Sequence, residues 1–117
     1  MNILALYHKV FKAYDELKDA TNEYRNIARE VKEIERQFEL KKAQLHDEGK
    51  INGRNKEARE AQAIMLLNED YEDLMLAQSK EDLAYQRKEQ AEIEVEKYRA
   101  ILRIEEIAVG NRKGILL

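Results

Sequence analysis

The chain has 117 residues, 38% of them charged, with no proline and no cysteine; the length suits one domain and the composition suits uninterrupted helix. Without cysteine there is neither a disulfide framework nor a thiolate metal site, and nothing ties the chain to an oxidising compartment. The formal charge of -3 divides as -1 over 1–48, +2 over 49–60, -5 over 61–92 and +1 over 93–117, too even for a mimic of DNA and too acidic for a protein that coats nucleic acid along its length.

The N-terminal stretch "MNILALYHKVFKAY" lacks the basic start, long apolar core and small-residue cleavage site of a secretory signal. No apolar run reaches the roughly 18 residues of a membrane span, so the stretch reads as the first turns of a helix and a cytoplasmic location is expected. From Leu6, apolar residues recur at alternating spacings of four and three: Leu6, Val10, Ala13, Leu17, Ala20, Tyr24, Ile27, Val31, Ile34, Phe38, then Lys41 and Leu45. Lys41 alone breaks a seam of about six heptads, and such a seam needs a partner helix. The first helix is expected over 3–47.

A bend follows over 48–55. Gly49 suits the left-handed residue just past a helix end, Asn52-Gly53 is a turn dipeptide, and Asn55 can cap the next helix. Asp47 and Glu48 lie where the helix dipole disfavours acids. The second helix is expected over 56–108 with a rougher seam. One series runs Leu67, Leu74, Glu81, Lys88, Val95, Leu102, and its companion Asp70, Ala77, Ala84, Ala91, Tyr98, Glu105. The glycines of "VGNRKGILL" predict a mobile tail over 109–117.

A short connection between long helices implies an antiparallel hairpin. With the turn near residue 52, Phe38 should face Leu66 and Leu67, Ile27 should face Ala77, and Tyr7 should face Lys97 and Tyr98. At the opposite end, large apolar residues surround both arms, including Leu4, Tyr7, Phe11, Tyr14, Ile101, Ile104 and Ile107. A two-helix hairpin buries only one face of each arm, so these residues are the expected dimer or partner interface. The fold expected is all-α: a long antiparallel coiled-coil hairpin, one domain, assembling as a dimeric four-helix bundle.

Chemistry-bearing patterns are sparse. "GKINGRNK" has two glycines but neither the spacing nor the Ser or Thr of a phosphate loop. His8 and His46 are far apart on one helix and lack metal-ligand neighbours. "NEDYEDL" has four carboxylates but not the glycine of a calcium loop, and reads as a solvated acidic face or a patch for a basic partner. With Ser79 the only serine, no nucleophile–base pair is legible. Neither an enzyme nor a cofactor is expected. Lys50, Arg54, Lys56 and Arg59 make a basic tip on the bend that could touch a partner or phosphate; Arg54 has no structural task visible in the sequence.

The motif Gly53-Arg54-Asn55 with Arg59, followed by "YEDLMLAQSKEDLAYQRKEQAEIEVEKYRAILRI", resembles small helical proteins of tailed phages and prophages that share G-[K/R]-N-x-x-x-R. The resemblance covers roughly residues 49–104. It implies a bacterial host cell and a setting among phage functions in recombination, replication or counter-defence, with no mechanism attached. The resulting expectation is a non-enzymatic adaptor or inhibitor that binds itself and a host or phage protein, not a membrane. The alternative is a nucleic-acid-binding accessory protein of phage recombination or replication that uses the basic tip.

Overall fold

The computed structural model describes residues 2–113, and they are all-α: α1 spans Ile3–Asp47, α2 Lys56–Leu66 and α3 Asn68–Lys113. The chain is a helical hairpin of long helices, with no strand among the described residues.

Both ends of α1 and the start of α2 have local chemical causes. Asn2 opens α1, its side-chain oxygen accepting from the Leu4 N–H at 2.8 Å, which satisfies a donor the first turn cannot. At the other end Gly49 adopts φ 75°. Its N–H donates to the His46 carbonyl at 3.0 Å while the Lys50 N–H donates to the Leu45 carbonyl at 2.9 Å. Those two bonds are the Schellman closure of a helix. Asn55, in an extended conformation, then caps α2 by accepting from the Ala58 N–H at 2.8 Å.

The second helix is not continuous. Leu67, at φ -115° and ψ 39°, leaves helical geometry between α2 and α3, although its N–H still donates to the Ala63 carbonyl and its carbonyl accepts from Tyr71. The following Asn68-Glu69-Asp70 puts two acids in the first turn of α3, where the helix dipole favours them. "NEDYEDL" is thus a helix start as well as an acidic stretch. The far boundary also differs: the segment expected to be mobile from 109 is helix as far as Lys113, and 114–117 lie outside the described residues. Glycine costs a helix only about 1 kcal/mol relative to alanine, so Gly110 does not stop it.

Packing divides the chain into two units, one formed by the segments up to Tyr24 and from Ala84 onward, the other by Arg25–Leu83. In the first, Leu6, Val10 and Leu102 form a buried cluster against which Ile3, Tyr98 and Ile101 pack; Ala13, Ala84 and Val95 are also buried. In the second, Val31, Phe38, Ile51, Ala63 and Leu74 are buried. Each large aliphatic or aromatic side chain removed from water contributes about 1.5–3 kcal/mol before ordering costs. From Asp70 to Glu105 every α3 member of the two series read from the sequence is buried or half-buried, and Tyr71, Gln78, Glu94 and Ile101 join them.

The pairing register differs from the expectation. Phe38 meets Tyr71, ring centroids 6.2 Å apart, instead of Leu66 or Leu67. Ile27 and Ala77 line one hollow together with Glu30, Val31 and Lys80, and the residue found beside the Tyr98 ring is Lys9, at 5.7 Å. The same offset recurs away from the bend, where Tyr24 meets Tyr85 and Glu23 pairs with Arg87; beside the bend Lys41 pairs with Asp70 in α3, while the adjacent Lys42 pairs with Glu60 in α2. Ten residues of straight helix would advance about 15 Å along α1, so the break at Leu67 separates the part of the second arm that meets Lys42 from the part that meets Lys41.

Candidate functional site in the bend and the apolar surface

The bend is held from three sides. The Gln62 carboxamide oxygen accepts from the N–H groups of Asn52 at 3.0 Å and Gly53 at 2.8 Å, and its nitrogen donates to the Asn52 side chain at 3.0 Å. The Arg59 guanidinium donates to the Gly53 carbonyl at 3.2 Å. Ile51, 6% exposed, anchors the loop. Gly53 is required by space: a Cβ there would lie 2.7 Å from the Ala58 Cβ and 2.8 Å from backbone atoms of Ala58 and Arg59. Gly49, by contrast, has open space and is required by its positive φ.

These contacts sort the basic tip. Arg59 is half-buried and bonded to the loop, and Lys50 pairs with Glu48 at 2.9 Å. That pair also answers the acid at the α1 terminus. Arg54 and Lys56 are exposed, and no ion pair among the described residues uses either. Gly53, Asn55 and Arg59 therefore have folding tasks, and only Arg54 in the motif is left to face outward.

Beside the bend lies a cavity of about 240 Å³ lined by Glu39, Lys42, His46, Ile51, Arg59 and Glu60, among others. Lys42 Nζ sits between the carboxylates, 3.3 Å from Glu39 and 3.0 Å from Glu60. Burial works to lower its pKa, but the hydrogen bonds to Glu60 and Glu39 together outweigh that and leave it raised. The cavity's charges thus already answer one another. Among the described residues no group of three His, Cys, Asp or Glu side chains is placed to hold a metal ion. Ser79 donates its hydroxyl to the Met75 carbonyl at 3.1 Å, a bond within its own helix.

The first unit carries the other candidate surface. Leu4, Tyr7, Phe11 and Tyr14 follow one another at spacings of three, four and three, and all are exposed, Leu4 by 60% and Phe11 by 62%. Side chains at that spacing share a helix face. The Tyr7 and Phe11 rings stack with centroids 6.5 Å apart. On α3, Ile93, Ile104 and Ile107 are exposed, Ile104 by 66%. Ile101, assigned to this surface from the sequence, instead packs against the unit's own core.

Sequence reasoning missed Gln62, Ile51 and Asn2. An Asn or Ser ahead of an apolar-periodic stretch is the signal that would have found Asn2; nothing local marks Gln62, because the groups it satisfies lie in the loop before α2. No helix among the described residues is long and apolar enough to cross a membrane. No protein-family model, curated protein or solved structure matches the chain.

Proposed function

We propose that this chain acts without catalysis, as an adaptor or inhibitor that binds another protein, and that it associates with a second copy of itself through the apolar surface of the first unit. The observation that supports this most directly is the exposed row Leu4, Tyr7, Phe11 and Tyr14 on α1, with Ile104 and Ile107 on α3. Large apolar side chains at heptad spacing outside a seam that is already filled are what a further helix packs against. A phage or prophage setting in DNA metabolism or against host defence, in a bacterial host, rests on the motif resemblance alone.

The test is retention of proteins from a bacterial lysate by the tagged chain, before and after nuclease treatment, alongside the chain's mass in solution. Phe11→Asp and Ile104→Asp replace exposed residues and should change stability by no more than about 0.5 kcal/mol. They are expected to abolish self-association and the nuclease-resistant capture that depends on this surface. Retention that collapses on nuclease treatment, and on replacing Arg54 and Lys56 by Ala, would instead establish the nucleic-acid reading.

A further inference from the structure

A second surface lies in the other unit. Two adjoining hollows of about 300 Å³ and about 120 Å³ share Ile34 and Asp73, and so form one groove along a side of the α1–α3 pair. Its apolar lining is the half-buried Ile34, over Val31 and Phe38, which are 2% and 6% exposed and belong to the unit's own core, with Leu76, 58% exposed, at its edge. Its rim is acidic: Glu30 and Glu33 come from α1, Asp70 and Asp73 from α3, with Lys80 the one cation lining it.

The rim's charges differ in availability. Asp70 is held by Lys41 at 2.6 Å and Glu33 by Arg36 at 2.6 Å. Glu30 and Asp73 enter no ion pair among the described residues. An apolar trough between helices admits the apolar stripe of a third helix, and carboxylates on both banks favour cations flanking that stripe while rejecting phosphate. We infer that the groove bounded by Glu30, Glu33, Asp70 and Asp73 is a docking site for a basic amphipathic helix of a partner protein. This surface is separate from the row around Phe11, so the two can be tested independently.

The experiment titrates the full-length chain against a fluorescently labelled helical peptide carrying leucines at i, i+3, i+4 and i+7 flanked by Lys and Arg. The controls are the same peptide with Glu in place of each cation, and a labelled DNA duplex. Binding of the basic peptide is expected to weaken as salt rises from about 0.05 M to about 0.5 M, where charges are screened. Asp73→Lys combined with Glu30→Lys should weaken it by about tenfold or more; Leu76→Ser should weaken it too, and Phe11→Asp should leave it unchanged. Equal affinity for the Glu peptide, preference for the duplex, indifference to the rim reversal, or loss with Phe11→Asp would each overturn the assignment. Amide chemical-shift changes in the unaltered chain keep the test independent of how the variants fold. Changes confined to 27–38 and 70–80 support the site, and changes elsewhere overturn it.

Discussion

Two lysines stand at polar breaks in the seams, one in each unit, and the units accommodate them differently. Lys88, in the first, lies 5.7 Å from the Tyr24 ring centroid and 5.5 Å from that of Tyr85, with Glu92 on its own helix 3.5 Å away. Lys41, in the second, reaches across to Asp70 at 2.6 Å. An aromatic face receives a cation over a broad range of positions, whereas a carboxylate at contact distance is more demanding of position, though a partly exposed pair stabilises little. The first unit packs around Leu6, Val10 and Leu102 and adds one ion pair across its helices, Arg87 with Glu23 at 2.9 Å. The second adds Lys41–Asp70 and Lys42–Glu60 to its buried Val31, Phe38 and Leu74, and its bend is closed by hydrogen bonds that Asn55 and Gln62 accept and Arg59 donates.

If that division is right, the largest effect comes from the first unit's core. Leu6 is 0% exposed, and Leu6→Ala should cost about 2–5 kcal/mol through lost burial and the cavity left behind, read as a lowered denaturation midpoint. Hydrogen exchange should accelerate first in the segments up to Tyr24 and beyond Ala84; uniform acceleration would break the distinction between the units.

Next in size is Gly53→Ala. The added Cβ meets backbone at 2.8 Å, so the start of α2 must shift, at a cost of about 1–3 kcal/mol. The Arg59 and Gln62 bonds should loosen, with faster exchange at the Asn52 and Gly53 amides. Unchanged exchange there would show that the bend is less tightly closed than its contacts imply.

The smallest effect is electrostatic. Hydrogen bonds from Arg36, then from Gln37, hold the exposed Glu33 carboxyl at about 2, below its ordinary 4.5. A carboxyl depressed in the folded state stabilises above its unfolded pKa, so this contribution is complete above about pH 4.5 and is lost as pH falls toward about 2. Because the pair is solvated and local, the effect is small. Glu33→Gln should slightly flatten the loss of helical circular dichroism over that range. An identical acid profile would show that the pair adds nothing.

How far the chain could be read before its structure varies along its length. α1 was legible from end to end because its period of four and three and the Gly49 terminator are local signals. The break at Leu67 was not: the seam series continues through it, and "NEDYEDL" suggested acidity before it suggested a helix start. Lys41 and Asp70 were each visible as a polar interruption, one per helix, yet nothing in either helix names the other as its partner. On the candidate surfaces, exposure at Leu4, Phe11 and Ile104 could be anticipated from apolar residues in excess of one seam, but the inward packing of Ile101 could not.

The sequence by itself determined helix, hairpin, Gly49 and the Asn55 cap, since these depend on backbone preference, side-chain period and hydrogen bonds within a few residues. Only the tertiary structure decided the register of α1 against α3, the clasp of Gln62 on Asn52 and Gly53, and the gathering of Glu30 and Glu33 with Asp70 and Asp73 around one groove. Each of those joins groups that no local signal in the chain relates. A heptad pattern aligns equally well when slid by whole repeats, so the side chains that reach across the seam must make the choice.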